Sequence, residues 1–326
     1  MARVAAGIEM ASLKFALIGA GSMGQNHARS IARSPNVELA LVVDVDARRA
    51  QEAATRYESA WSASLDAITG VDAVVIASPT PTHRRIALDL IGDGIPLLIE
   101  KPIATSTTEV IEVIESAEQA GLPVVCGFVE RYNPVVRTAL DMIGETDQIF
   151  HITSRRHSPA TSRSSSSVTW DLLIHDVDLI LQIMGGLKPV HVSGQLLSPP
   201  GSSYPEVADA TLRFPRSIAS LSSSRIGHRK VRDISITTSG RLYELDLLRQ
   251  TLTVYKNIFQ EQLTAGMTTY RAETVVDIPF VRHAGEPLEL QLQHFVDAVT
   301  GKTDSQSERN GVILSHAIIE TIEEHT

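Results

Sequence analysis

The stretch Leu13-Lys-Phe-Ala-Leu-Ile-Gly-Ala-Gly-Ser-Met-Gly24 changes within a few residues from an apolar run to closely spaced glycines. The apolar run predicts a buried strand, and the glycines predict a tight turn into a helix. Gly19, Gly21 and Gly24 form the pattern G-x-G-x-x-G. In this pattern the first glycine permits the turn, the second lets the backbone approach a pyrophosphate, and the third lets the helix pack against its strand. A helix that begins near Ser22 would point its amide groups at that phosphate.

A second apolar run, Val37 to Val43, ends in Asp44, which lies 20 residues after the last of these glycines. From this position a carboxylate accepts hydrogen bonds from the adenosine ribose of a dinucleotide. Residues 13–44 therefore predict a strand, helix and strand that together bind a dinucleotide. Because the Asp44 carboxylate would repel the extra phosphate of NADP, we expect NAD. Arg48 and Arg49 follow Asp44 closely and could bind the extra phosphate of NADP, so NADP stays an alternative. The two arginines could instead be solvated residues at the start of a helix.

Further apolar runs alternate with helical patterns as far as Cys126. This alternation predicts a doubly wound parallel sheet, in which ligands bind beyond the carboxyl ends of the strands. We expect the loops after two of these strands to contact the cofactor, although His83 could instead be a surface residue and Lys101 a solvated one. With the glycine turn, the expected cofactor contacts are Gly19, Gly21, Ser22, Met23, Gly24, Asp44, Ser78, Pro79, Thr80, His83, Glu100 and Lys101.

The pattern changes after Gly127, and from residue 148 onward strand-forming stretches follow one another with short turns. They predict an α+β domain with a mainly antiparallel open sheet. We therefore divide the chain into an N-terminal extension (1–12), a Rossmann domain (13–128) and a domain for substrate binding and oligomerisation (129–326). The serine-rich tract 157–168 is expected to be a mobile loop or a plain connection. An exposed sheet face commonly pairs, so we expect a homodimer or homotetramer.

Composition narrows the class of protein. The 326 residues carry 38 Asp and Glu against 29 Lys and Arg, a formal charge of −9, so we expect no nucleic-acid partner. The single cysteine, Cys126, excludes an intramolecular disulfide and fits a cytoplasmic protein. No apolar run approaches the roughly 18 residues of a membrane span, so we expect no membrane partner. The first twelve residues lack the apolar core of an export signal.

The segment Trp170 to Met184 has the apolar periodicity of a helix. On a helix Asp171 and His175, at i and i+4, share one face. A carboxylate beside an imidazole holds the ring and its tautomer, as a general base requires, although such a pair can also be a cap or a surface pair. Asp178 makes a metal site a further alternative. Catalytic zinc usually draws ligands rich in His or Cys, so we expect no metal.

In order and spacing these features resemble the Gfo/Idh/MocA oxidoreductases, over nearly all of the chain after Ser12. The motifs that carry the resemblance are Gly19-Ala-Gly-Ser-Met-Gly24, Asp44, the loop from Pro79 to His83, Glu100-Lys101-Pro102, and Asp171 to His175 with Asp176 and Asp178. The resemblance implies a Rossmann domain followed by an open-sheet domain. It also implies an NAD(P)-dependent dehydrogenase or reductase acting on the CH–OH group of a sugar, inositol or related polyol. The catalytic group that it implies is Lys101, Asp171 and His175.

Within the family, Gly127-Phe-Val-Glu-Arg-Tyr-Asn-Pro134 resembles the form in members that oxidise a nucleotide-linked amino sugar at C3. Candidate substrate contacts, to hydroxyl or phosphate groups, are Arg131, Tyr132, Asn133 and Arg156. Two other functions stay open on the same fold. One is a dinucleotide-sensing regulator without turnover, and the other is a redox-neutral enzyme that uses NAD to cleave a glycoside.

Overall fold

The structure is a computed structural model that describes residues 12–144, 147–160, 166–264, 267–304 and 306–324. The chain forms two compact units. The first runs to Gly127 and includes Leu288–Glu308, and the second comprises Phe128–Pro287 and the chain from Arg309 onward. None of the described helices is both long and apolar enough to cross a membrane.

The first unit alternates strands and helices in the order that the sequence indicates. Its elements are β1 (Leu13–Ile18), α1 (Ser22–Arg33), β2 (Val37–Val43), α2 (Ala47–Tyr57), β3 (Ala60–Ser62), β4 (Ala73–Ile76), α3 (His83–Gly92), β5 (Leu97–Ile99), α4 (Thr107–Gln119) and β6 (Val124–Cys126). Among the described residues they form a six-stranded sheet in the order β3-β2-β1-β4-β5-β6. Every neighbouring pair is parallel, so the prediction of a doubly wound parallel sheet is confirmed.

The central strands of this sheet are buried on both faces, as a sheet covered by helices requires. The segment Leu288–Glu308 belongs to this core, whereas the division made from the sequence placed it in the second domain. Phe295 packs edge-on against Phe15 of β1, with ring centroids 5.5 Å apart, and Leu292 and Val296 are buried beside it. An apolar helix face near the end of the chain does not show in its sequence which core it will join.

The second unit is built on a larger sheet. Its elements, with the two closing helices of the chain, are α5 (Pro134–Met142), β7 (Ile149–Pro159), α6 (Ile174–Ile183), β8 (His191–Leu197), β9 (Val207–Arg213), β10 (Ile218–Gly227), β11 (Val231–Thr238), β12 (Leu242–Asp246), β13 (Thr251–Thr264), β14 (Met267–Asp277), α7 (Pro287–Val299) and α8 (Gln306–Glu324). The described strands form an eight-stranded sheet in the order β14-β13-β12-β11-β7-β10-β9-β8. β7 and β10 are parallel and the other neighbours antiparallel, which confirms a mainly antiparallel sheet.

One face of this sheet is covered and the other is not. Along β9, Ala208, Ala210 and Leu212 are buried whereas Asp209 and Arg213 are exposed, the alternation expected of a half-buried strand. Helix α6 packs on β7 and β10, and α5 packs on β12. The expected loop at 157–168 is partly wrong, because 157–159 continue β7; residues 161–165 lie outside the described residues.

Candidate active site

The glycine turn of the first unit has the shape that a phosphate requires. Gly19 has φ +94°, and a Cβ there would lie 2.6 Å from the carbonyl oxygen of Ala77. A Cβ on Gly24 would collide with the carbonyl oxygen of Gly19, so this glycine lets α1 approach the turn. At Gly21, by contrast, the space that a Cβ would enter is open within 4 Å. The first amides of α1 have no side-chain cap and no acidic residue in the first turn, so they can receive an anion.

The carboxylate of Asp44 ties this turn to the end of β2. Its Oδ2 accepts a hydrogen bond of 2.7 Å from the amide of Ala20, and its Oδ1 accepts one of 2.8 Å from the amide of Asp46. Each carboxylate oxygen has a second lone pair available for a ribose hydroxyl. Arg48 and Arg49 are exposed at the start of α2 and lie near Glu52 and Asp46. Ser22 and Met23 are exposed in the first turn of α1.

The loop after β4 is held by its own hydroxyl groups and by His83. Ser78 Oγ lies 2.7 Å from Thr82 Oγ1, while Pro79 and Thr80 are at least partly exposed. His83 is buried, with Nε2 2.7 Å from the Ser78 carbonyl and Nδ1 2.9 Å from that of Pro102. The alternative of a surface residue is therefore wrong for His83, because its ring bridges the backbones of two loops. Its contact with the cofactor stays a prediction.

The segment after β5 places Glu100 in the interior and leaves Lys101 half-buried. Glu100 Oε1 lies 2.7 Å from His27 Nε2, and Oε2 accepts a hydrogen bond of 3.3 Å from the amide of Lys101. Glu100 is 7% exposed. For both Glu100 and Lys101, contact with the cofactor stays a prediction.

In the second unit, the segment that carries Asp171 and His175 is not a uniform α-helix. Thr169–Leu173 form a π-helical turn, and α6 begins only at Ile174. The segment is helical, as its periodicity predicts, but its first turn is π-helical, and the wider π geometry changes the angle between Asp171 and His175. The Asp171 carboxylate is 41% exposed and accepts a 3.2 Å hydrogen bond from Arg225. His175 is half-buried, and its ring stands edge-on to Phe128 with centroids 6.3 Å apart.

The next two carboxylates of this segment are buried in ion pairs. Asp176 lies 2.9 Å from the Arg156 guanidinium, and Asp178 lies 2.5 Å from that of Arg131. Burial raises the pKa of Asp176, against the attraction of Arg156. Burial also opposes ionisation of Glu130, but Arg156 and a second arginine together hold its pKa below the usual value. The Arg131 guanidinium neutralises the charge of Asp178, and the absence of a metal ion at this carboxylate stays a prediction.

Of the four candidate substrate contacts, Tyr132, Asn133 and Arg156 are buried in the second unit and Arg131 is partly buried, and their contact with substrate stays a prediction. Arg156 is 2% exposed and donates to Asp176 and Glu130. Asn133 caps α5 through the amide of Val135 and donates to the carbonyl of Leu247. Tyr132 is 6% exposed, and Arg131 is held by its carboxylate and the face of Phe128. The sequence shows that these side chains are polar, but it does not show that the fold would bury them.

Sequence reasoning missed three residues of these networks: His27, Arg225 and His316. His27 had a signal, since it lies on the buried face of α1 beside Ala28 and Ile31, where an imidazole needs a partner. No sequence signal indicated Arg225, because it contacts Asp171 across 54 residues of chain. His316 is fully buried against Phe128 and Trp170, with ring centroids 5.9 and 6.0 Å away.

Taken by itself, the first unit is a dinucleotide-binding Rossmann domain, because it combines a parallel sheet, an open glycine turn and a carboxylate at the end of β2. Residues 13–128 match the family described as "Oxidoreductase family, NAD-binding Rossmann fold". This match over the first unit agrees with the resemblance of the chain's motifs to the Gfo/Idh/MocA oxidoreductases. The family description also confirms NAD as the expected cofactor.

Similar proteins extend the comparison to the second unit. The chain is 28% identical over 299 residues to a UDP-N-acetylglucosamine 3-dehydrogenase from Acidithiobacillus ferrooxidans, which covers 89% of this chain and 90% of that one. A solved structure of the dehydrogenase of that name from the same organism superposes with a TM-score of 0.82 at 26% identity, covering 97% of this chain and 98% of the other. An inositol 2-dehydrogenase from Acidothermus cellulolyticus is 33% identical over 52% of each chain.

Proposed function

We propose that this oxidoreductase interconverts a secondary alcohol and a ketone on a sugar, sugar nucleotide or polyol, with NAD as the hydride carrier. The observation that carries the proposal is the contrast among the polar residues from Asp171 to Asp178. Asp176 and Asp178 are buried in ion pairs, whereas Asp171 and His175 are partly exposed. An accessible carboxylate and imidazole on one segment are the groups that proton transfer to and from a hydroxyl requires.

The residues of the first unit fit the cofactor. The open side of Gly21 and the uncapped amides of α1 would hold the pyrophosphate, and the Asp44 carboxylate would hold the ribose. Ser78, Pro79 and Thr80, together with Lys101, would line the remainder. When bound, NAD supplies the hydride acceptor at C4 of its nicotinamide ring.

The chain's own residues then handle the proton and the oxygen. His175 takes the hydroxyl proton as a general base, with its ring held edge-on by Phe128. Asp171 orients the imidazole and stabilises its charged form, and Arg225 restrains the Asp171 carboxylate. Lys101 hydrogen-bonds the substrate oxygen and stabilises the negative charge that grows on it. In the reverse direction His175 returns the proton.

Among substrate classes, a UDP-linked amino sugar oxidised at C3 is our specific proposal. It is supported by the extent of the similarity, since the match covers 90% of the UDP-N-acetylglucosamine 3-dehydrogenase but about half of the inositol enzyme. A match that includes the second domain bears on the substrate, whereas one centred on a Rossmann domain bears mainly on the cofactor.

The test is the absorbance of reduced nicotinamide with UDP-N-acetylglucosamine, free N-acetylglucosamine and myo-inositol, each with NAD and with NADP. We expect reduced cofactor to accumulate with NAD and the UDP sugar, with kcat/KM about tenfold or more above that for inositol. Accumulation with inositol alone would refute the specific substrate and leave the dehydrogenase. Substrate turnover without accumulation indicates the redox-neutral enzyme, and NAD binding without turnover indicates the regulator.

A further inference from the structure

The first unit contains a buried hydrogen-bond partner for Glu100 that the proposed chemistry does not use directly. His27 is 1% exposed on the inner face of α1, and its Nε2 lies 2.7 Å from Glu100 Oε1. A buried carboxylate is costly unless hydrogen bonds compensate it, so this contact fixes the Glu100 side chain. Glu100 immediately follows β5 and precedes Lys101.

The backbone that leads into Lys101 is restrained from several directions. Glu100 Oε2 accepts the hydrogen bond from the Lys101 amide, and the Glu100 amide donates to the Ile76 carbonyl of β4. Gly127 packs closely against the backbone of Glu100 and Lys101. A Cβ on Gly127 would lie 2.8 Å from both Glu100 Cα and Oε2, and 2.9 Å from the Lys101 nitrogen. The Glu100 carboxylate therefore links the imidazole of His27 on α1 to the backbone amide of Lys101 through one hydrogen bond at each oxygen.

The same helix begins at the glycine turn. Ser22 opens α1, and His27 lies five residues later, about one and a half turns along. A short helix is rigid, so the amides that would hold a pyrophosphate and the imidazole that holds Glu100 move as one body. We propose that His27 and Glu100 are positioning residues that set the direction of the Lys101 side chain relative to the phosphate-binding turn. This inference rests on the proposed function in so far as Lys101 acts on the substrate.

If His27 and Glu100 only stabilised the fold, their replacement would change stability alone. The following variants separate that outcome from an effect on Lys101. His27→Leu fills the site without a hydrogen-bond donor. His27→Gln restores an amide donor near the Nε2 position, and Glu100→Gln keeps an acceptor for His27. Ser30→Ala is the matched control, because Ser30 is equally buried on α1 and its hydroxyl has no role in the proposed coupling. Thermal unfolding and the dissociation constant of NAD are measured for every variant.

The first readout needs no substrate. Trace acetylation with acetic anhydride, followed by mass spectrometry, compares Lys101 with Lys302, whose side chain is 60% exposed in the same unit. We expect saturating NAD to protect Lys101 in the parent and in Ser30→Ala. Protection should be weaker in His27→Leu, although NAD still binds, and it should return in His27→Gln. Equal protection in the parent and His27→Leu would overturn the proposal, as would a parent in which NAD does not protect Lys101.

The second readout is turnover with the best sugar substrate. We expect His27→Leu to lower kcat about ten- to hundredfold, because a small displacement of a reacting group costs that much, while KM for NAD stays nearly constant. The deuterium isotope effect on kcat should increase, and His27→Gln should recover most of the rate. A loss of NAD affinity and stability that accounts for the whole effect would overturn the proposal. If the parent oxidises no sugar, the proposed function fails, and the labelling result still decides the positioning role.

Discussion

Replacing His316 with asparagine should flatten the pH dependence of the second unit's stability. His316 lies on α8, fully buried beside Phe128 and Trp170, with Nδ1 2.7 Å from the Val312 carbonyl. Burial lowers the pKa of His316 to about 4, from the usual 6.5, and the charge of Arg131 acts in the same direction. The folded protein therefore holds this imidazole neutral at pH 5, where an unfolded chain would protonate it.

The sign and size of the effect follow from this difference. Above pH 6.5 the imidazole is neutral in both states and stability does not depend on it. As the pH falls from 6.5 to about 4, the unfolded chain binds a proton that the folded chain does not, so the free energy of unfolding decreases. A shift of roughly 2.5 pKa units corresponds to a loss of about 3 kcal/mol. Below pH 4 both states are protonated and the loss is complete.

The assay is urea unfolding from pH 7.5 to 4, followed by tryptophan fluorescence. A Trp61→Phe background leaves Trp170, which touches His316, as the reporter of the second unit. His316→Asn keeps a donor near the Nδ1 position, and His191→Asn, on the exposed edge strand β8, controls for loss of a histidine. The parent's advantage over His316→Asn should shrink by about 3 kcal/mol on acidification. Parallel loss of stability in the two proteins would refute the reasoning.

Three other substitutions test the candidate active site. His175→Ala should lower kcat by about two to four orders of magnitude with little change in NAD affinity, because it removes the proposed base; an unchanged rate would exclude His175. Asp44→Ala should raise kcat/KM with NADP relative to NAD by about tenfold or more, since the carboxylate repels the added phosphate; steady-state kinetics with both cofactors measure this. Arg225→Gln should lower kcat about tenfold, with partial rescue in Arg225→Lys, because Asp171 loses the cation that restrains it; equal rates by stopped-flow absorbance would contradict that restraint.

Local pattern determined the glycine turn and the parallel sheet of the first unit. The spacing of Gly19, Gly21 and Gly24 specifies a turn through backbone sterics alone, and these requirements are fulfilled within a few residues of chain. The apolar runs of β1, β2 and β4 likewise predict buried parallel strands, because a strand buried on both faces needs a continuous apolar sequence. The role predicted for Asp44 likewise rests on spacing along the chain, because this residue lies 20 positions after Gly24 at the end of β2.

Tertiary structure decided what the polar side chains do. Asp171, Asp176 and Asp178 are the same residue type within eight positions, yet two are buried in ion pairs and one is 41% exposed. Their arginine partners come from 20 to 54 residues away, so no local pattern distinguishes the three. His27 and Glu100 are 73 residues apart for the same reason. Backbone conformation depends on near neighbours in the sequence, whereas the burial and pairing of a charge depend on which distant elements the fold brings against it.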